Sequence, residues 1–182
     1  MNRTGYTVLV GAVGVQRLAE LAISRRNAAW AFARGGVETG RGHLPAMIVL
    51  HTGLLVGAVA EVRFARRRYR PALGRTMLAL LAGCQGVRAW CIAALGRRWN
   101  TRVIVLPGVA AVTSGPYRRL AHPNYAAVVV EGVALPLVYD AWITAAAFTL
   151  ANAGLLTVRI RVERRALAQA AVAAPVRTET DS

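Results

Sequence analysis

The residues able to do chemistry gather in one stretch, Leu95–Tyr125, which reads LGRRWNTRVIVLPGVAAVTSGPYRRLAHPNY. It contains five arginines, two isolated prolines (Pro107 and Pro116) and the run His122-Pro123-Asn124-Tyr125. A second charged stretch, Arg159-Ile160-Arg161-Val162-Glu163-Arg164-Arg165-Ala166-Leu167, sets Arg159 and Glu163 four apart, on one face of a helix. Each feature alone has an ordinary structural explanation. His122-Pro123 suits a helix entry with proline in the first turn, and Arg159/Glu163 suits a surface ion pair. Together, a polar, aromatic, arginine-rich insert abutting apolar segments long enough to cross a bilayer suggests a site at the membrane face. His43, His51 and His122 have no metal-ligand spacing with each other or with the cysteines, so no metal is expected.

Composition points to the membrane. Hydrophobic residues make up 55% of the 182, charged residues 17%, and the mean hydropathy is +0.40. That leaves too little charge to coat a soluble globule of this size. The net charge of +15 comes from 23 arginines and no lysine. A basic excess fits nucleic acid or an anionic membrane surface. The arginines fall in short blocks between apolar runs rather than among stacking aromatics, so the membrane is favoured and no nucleic-acid partner is expected. Cys84 and Cys91, seven residues apart on a helix, are separated by roughly 10.5 Å and cannot form a disulfide. They read as small core residues.

The elements that must position the insert follow from the apolar runs. Gly5 to Ser24 is a first span carrying Arg17 and Glu20, three apart and able to partner each other. Arg25 to Gly36 forms an interfacial ramp. Leu44 to Val62 is the second span, with Pro45 in its first turn and His51 as its mid-span polar group. A loop, Arg63 to Arg75, holds six arginines. Met77 to Leu95 is the third span, with Gln85 and Arg88 on one face. Arg88 must face the bundle interior or a watery cavity, and Glu131 is its natural partner. The 34 residues from Tyr125 to Val158 would make a helix about 51 Å long, too long for a core of about 30 Å. Pro136 and Asp140 break it into two short helices. The expected fold is therefore an all-α integral membrane protein. It has about five transmembrane helices, the last two a short hairpin, with a cofactor-binding insert and a C-terminal helix on the cytoplasmic side. Residues 1–167 form one domain and 168–182 a disordered tail. The cytoplasmic assignment rests on 14 arginines on the insert's side against seven opposite.

Ser114-Gly115-Pro116-Tyr117, Arg118-Arg119-Leu120-Ala121 and His122-Pro123-Asn124-Tyr125, in that order, resemble the S-adenosyl-L-methionine (SAM) signature of the isoprenylcysteine carboxyl methyltransferase family. In that family a helical hairpin follows the signature, and an Arg-x-x-x-Glu pair opens the next helix, where Arg159 and Glu163 stand. Gln16-Arg17-Leu18-Ala19-Glu20-Leu21, Gly35-Gly36-Val37-Glu38, His43, His51 and Arg97-Arg98-Trp99-Asn100 look like its short bacterial branch. Members of that branch occur beside type III polyketide synthases and methylate alkylpyrones or phenolic lipids.

The resemblance assigns the strand-like Val109-Ala110-Ala111-Val112, Tyr117, His122, Pro123, Asn124, Tyr125 and Glu163 to SAM, and Arg159 to the acceptor's anionic oxygen. Two departures, Arg164 where the family often has a second glutamate and the lack of an aromatic-rich tail, count against a prenylated-protein substrate. The implied activity is O-methylation of an acidic oxygen on a lipophilic acceptor that enters from a bacterial cell membrane, with the site facing the cytoplasm. An isoprenylcysteine-type carboxyl methyltransferase and a non-enzymatic membrane scaffold or transporter fragment are the alternatives. SAM needs an anion, a stacking surface and backbone donors, which Glu163, Tyr117 or Tyr125, and the turns at Gly115 and Pro123 offer. An oxygen already ionised needs no general base, which leaves alignment and desolvation as the catalytic work.

Overall fold

The computed structural model describes residues 1–40 and 42–172, without the side chains of His43 and of residues 170–172. Five α-helices carry the fold: α1 (Arg3–Phe32), α2 (His43–Phe64), α3 (Pro71–Leu95), α4 (Pro123–Leu137) and α5 (Trp142–Val172). Two three-residue strands, β1 (Val37–Thr39) and β2 (Val103–Val105), pair antiparallel with Val37 opposite Val105. This ribbon ties the α1–α2 connection to the insert.

Among the described residues, four helices (α1, α2, α3 and α5) are long and apolar enough to cross a membrane. Side-chain placement is inverted relative to a soluble protein. Val15, Leu18, Val49 and Leu150 are about 70% exposed, whereas Glu20, Arg88, Glu131 and Arg159 are buried. Large apolar side chains on the outside belong against lipid, and charges are tolerated only in the bundle interior. The chain is an integral membrane protein.

Several boundaries differ from the sequence expectation, each for a local reason. α1 does not stop at Ser24 but continues through the proposed ramp to Phe32. It ends where Gly35 takes φ +76° and the Gly36 N–H returns to the Ala31 carbonyl. The last two helices are not both short. Pro136 and the left-handed Asp140 (φ 59°) break the chain between α4 and α5. After Trp142 nothing breaks it again, so the basic stretch Arg159–Leu167 is the end of a 31-residue helix rather than a separate one. That helix takes in the first residues of the expected tail, and 173–182 lie outside the described residues. α4 has only 15 residues. Its carbonyl at Leu135, left over at the helix end, accepts the Tyr6 hydroxyl at 3.1 Å. Gly132 lets α5 lie close, because a Cβ there would come 2.1 Å from the Phe148 ring.

Glu61 joins α2 to the α5 N-terminus. Its carboxylate accepts the Ile143 and Thr144 N–H groups at 3.2 and 2.7 Å and the Thr144 hydroxyl at 2.7 Å, while Arg67 donates to it at 2.9 Å. A carboxylate here meets orphan helix donors and the positive end of the helix dipole together.

The buried charges pair differently from the expected Arg88–Glu131 couple. Arg88 grips Glu20 with two bonds of 2.6 Å, from Nε and Nη2. Arg17 bridges Glu20 (2.9 Å) and Glu131. Glu20 lies on a part of α1 that the sequence marked as a helix end. Because α1 runs two turns further, that residue falls inside the bundle and takes Arg88 first. Gln16 and Gln85 join the rim of the cluster at 2.8 Å. Glu20→Ala or Arg88→Ala alone should destabilise by about 3–5 kcal/mol, since each strands a buried charge, and the double variant should cost clearly less than the sum. Denaturant unfolding in detergent measures this; strictly additive losses would mean the two groups do not depend on each other.

Candidate active site

The site begins as a gap left by the short α4. The turn after α4 and the start of α3 share one end of the bundle, where Arg70 approaches Asp140 at 3.9 Å. At 1.5 Å per residue, 25 residues of α3 outrun the 15 of α4 by about 15 Å at the other end. The insert folds into that gap over the α4 N-terminus. Gly115 makes the close approach possible. Its φ is +58°, and a Cβ would stand 3.2 Å from the Trp90 indole nitrogen.

α1 fastens the insert's first half. Asn27 donates to the Trp99 carbonyl at 2.7 Å, Ser24 Oγ donates to Asn100 Oδ1 at 2.6 Å, and the Thr101 N–H donates to Ser24 Oγ at 3.0 Å. With that segment fixed, the Thr101 carbonyl accepts Arg159 Nη2 at 2.6 Å. Arg159 is 5% exposed. Its Nε donates to the Tyr125 hydroxyl at 2.8 Å, and its Nη1 lies against the Met47 thioether of α2. Tyr125 donates in turn to Glu163, one helical turn beyond Arg159. The His122 ring stacks on Tyr125 with centroids 5.3 Å apart and planes at 17°, and its Nδ1 is 4.0 Å from the Glu163 carboxylate. One guanidinium, one phenol, one carboxylate and one imidazole therefore form a continuous chain of contacts across α5 and α4.

Around this chain lies a cavity of about 410 Å³, open to solvent and walled by the insert, the α4 N-terminus and the end of α5. Its size is that of a small-molecule site. Of the residues expected to form a site, Val109, Ala110, Ala111, Val112, Tyr117, His122, Asn124, Tyr125, Arg159 and Glu163 all line it. Pro123 does not. It is buried at the first turn of α4, where its missing N–H is no loss, and sets the direction of the helix. Val109–Val112 is not a strand. It is irregular chain, with the Ala110 carbonyl accepting Arg98 at 2.9 Å, and the strand forms instead at Val103–Val105, where β1 supplies a partner. The Tyr117 phenol is pushed above its ordinary range, first by burial and then by Cys91 beside it. It stays protonated at neutral pH and offers a hydroxyl and a ring rather than a base.

Three contributors were not legible as site residues: Ser24, Met47 and Thr101. Ser24 meets Thr101 across 77 positions, and Met47 meets Arg159 across 112. A serine and a methionine inside apolar runs carry no local mark of such a role.

Residues 77–169, which begin inside α3 and end inside α5, match the model of the isoprenylcysteine carboxyl methyltransferase (ICMT) family. The chain belongs to the ICMT family. This ICMT-family protein is also 38% identical over 170 residues to the uncharacterized protein YpbQ of Bacillus subtilis, a similarity that covers 92% of the chain and 99% of YpbQ. The family is one of membrane methyltransferases whose methyl donor is SAM. Its matched region holds the cavity's insert and both α4 and α5, while Ser24 and Met47 come from helices that precede the match.

If the cavity binds the methyl donor through the carboxylate and the stacked rings, Glu163→Gln, His122→Ala and Tyr125→Ala should each weaken SAM binding about tenfold or more. Pro123→Ala should bind within about twofold of the parent once its lower stability is allowed for. Calorimetry on detergent-solubilised protein measures all four; unchanged binding in the first three would remove the cofactor from this cavity.

Proposed function

We propose that the protein is a SAM-dependent O-methyltransferase that methylates an ionised oxygen of a lipophilic acceptor, such as an alkylpyrone or a phenolic lipid. The supporting observation is how Arg159 is held. Two edges of its guanidinium are fixed, by the Tyr125 hydroxyl and the Thr101 carbonyl, and the third lies, among the described residues, against the Met47 sulfur. A thioether is a weak acceptor, so an anionic oxygen arriving between α2 and α5 would displace it. The cation also favours the ionised form of the acceptor; an acidic enol arrives already ionised and needs no general base, whereas a weakly acidic phenol must first pass its proton to a base.

The residues of the larger cavity fit the family's methyl donor. Glu163 supplies an anion for its positive charge, His122 and Tyr125 a stacked pair, Tyr117 a protonated hydroxyl, and 109–112 exposed backbone. SAM bound there would supply an electrophilic methyl group, the C–S bond breaking to a neutral thioether as the acceptor oxygen's lone pair forms the C–O bond. The protein's part is to hold the oxygen at the Arg159 edge, fix Arg159 through Tyr125, and exclude water by burial. Catalysis of this kind is alignment in a desolvated site.

Access divides between two phases. The 410 Å³ cavity opens to water, while Met47 lies on a helix whose Val49 and Val56 face lipid. A tailed acceptor enters sideways with its chain in the bilayer. The site faces the cytoplasm of a bacterial cell membrane on this reading, by the 14-to-seven arginine excess. In the opposing loop Arg67 is paired with Glu61 at 2.8 Å and Arg70 lies 3.9 Å from Asp140, which offsets part of that loop's charge.

Arg159→Lys keeps the charge but loses the planar fork. Its kcat should fall about 100-fold with SAM affinity within about threefold, because orientation is lost while cofactor contacts remain. Activity should also rise with acceptor chain length, by up to roughly fourfold per CH₂ at about 0.8 kcal/mol of partition each. Methylation of short, tail-less acceptors as efficiently as long ones would contradict lateral entry.

A further inference from the structure

Behind Arg159, on the bundle side, lies a second cavity of about 40 Å³. Arg159, Asn124 and Tyr125 line both it and the larger one, so they belong to the wall between them, while Met47, His51 and Arg88 line the inner space alone. One water needs about 10–15 Å³, so the space suits water and is too small for a ring. Two of its lining residues carry a buried polar atom with no partner among the described residues, Nη1 of Arg88 and Oδ1 of Asn124. A charged donor and an amide acceptor left unmet in a membrane interior are costly, and water meets both. His51 stands one helical turn beyond Met47, with its Nδ1 2.9 Å from the Met47 carbonyl. A carbonyl only accepts, so Nδ1 carries the proton and Nε2 of the neutral ring is left as an acceptor. Phe148 of α5 meets the imidazole edge to face, with centroids 5.4 Å apart and planes at 82°. The carbonyl and the phenyl ring together fix the direction of Nε2.

We propose that His51 is the general base for an acceptor whose hydroxyl is not already ionised, taking its proton through water held in the inner cavity. The inference rests on the proposed O-methyltransferase activity and supplies the base that a phenolic acceptor needs. An acceptor oxygen at the Arg159 edge now faced by Met47 stands beside the inner cavity, because Arg159, Met47 and His51 all line it. That oxygen passes its proton to a water, and the water passes one of its own to Nε2. Arg88 Nη1 and Asn124 Oδ1 hold the water, which accepts from the first and donates to the second. Its other lone pair and hydrogen serve the acceptor and His51. As the C–O bond forms and the methyl donor's C–S bond breaks, one positive charge leaves the sulfonium and one arrives on the imidazolium. The proton returns to solvent when the products leave. The charged and titratable groups around the ring are Arg17 of α1, Arg88 of α3, Tyr125 and Glu131 of α4, and Arg159 of α5. Glu131 is the carboxylate among them, and its charge offsets part of what the imidazolium adds.

The test uses two lipids with the same long alkyl chain, a phenol and an acidic 4-hydroxy-2-pyrone, as acceptors for the full-length protein in lipid nanodiscs. His51→Asn keeps a donor for the Met47 carbonyl and removes Nε2. Its kcat for the phenol should fall about 100-fold at about pH 7.5, at least tenfold more than for the pyrone, with SAM affinity within about threefold. The lost phenol rate should return with alkali, rising about tenfold per pH unit between about pH 7.5 and 9 as the phenol ionises unaided. The parent's rate should stay within about threefold over that range, since the base does the work there. Structural damage would not be mended by pH. Should His51→Asn fail to fold, His51→Gln, which keeps a polar end but takes no proton, must show the same rise. Equal losses on the two lipids with no recovery in alkali, or an undiminished phenol rate, overturn His51 as the base and leave the O-methyltransferase reading standing. So does a parent protein that methylates the pyrone and not the phenol. A parent protein that methylates neither overturns that reading, and the base with it.

Discussion

A guanidinium buried among apolar helices has to have its donors met, and the structure around Arg159 follows from that requirement. One donor goes to a carbonyl that exists in the right place only because α1 holds the 96–102 segment through Ser24 and Asn27. Another goes to a phenol on α4, which is thereby tied to Glu163. The third meets sulfur, the poorest acceptor available. Such a group is rigid on two sides and receptive on one. Rigidity on the fixed sides matters for methyl transfer to an ionised oxygen, where geometry rather than proton movement sets the rate.

The bundle beneath solves a related problem. Arg17, Glu20, Arg88 and Glu131 are together neutral, and each charge has an opposite neighbour. A buried network of this kind adds little stability over an apolar core but makes wrong helix registers expensive. Here three helices, α1, α3 and α4, are brought into register by it. The same register leaves α4 short of its neighbours, and that shortfall is the recess the insert occupies. Depth, recess and cavity are consequences of one helix having 15 residues where α3 has 25.

Much of this was legible in the chain. The apolar runs marked α2 to within two residues and the end of α3, whose start lies six residues before the expected Met77, at Pro71 inside the expected loop, and Pro136 with Asp140 marked the turn after α4. The ordered run from Ser114 to Tyr125, with Arg159 and Glu163, pointed to the family and to residues that now line one cavity. What the chain does not mark locally is long-range. Nothing local says that α1 continues past Ser24, since Arg25, Arg26 and Asn27 are as compatible with a headgroup ramp as with a helix. That extension is what carries Ser24 and Asn27 to the insert and moves Glu20 into the interior, where it displaces Glu131 as the partner of Arg88. Val109–Val112 has the composition of a strand, but a strand needs a partner, and β1 pairs with Val103–Val105 instead.

The claim on which the rest hangs is that the insert, α4 and α5 enclose a methyl-donor site whose inner wall is Arg159. An experimental structure in lipid with S-adenosyl-L-homocysteine bound tests it most directly. The account predicts density for the nucleoside product in the 410 Å³ cavity, against Glu163, His122 and Tyr125, with its sulfur directed toward the Arg159 edge now occupied by Met47. Density elsewhere on the protein, or in the cavity with its sulfur turned away from Arg159, would contradict it.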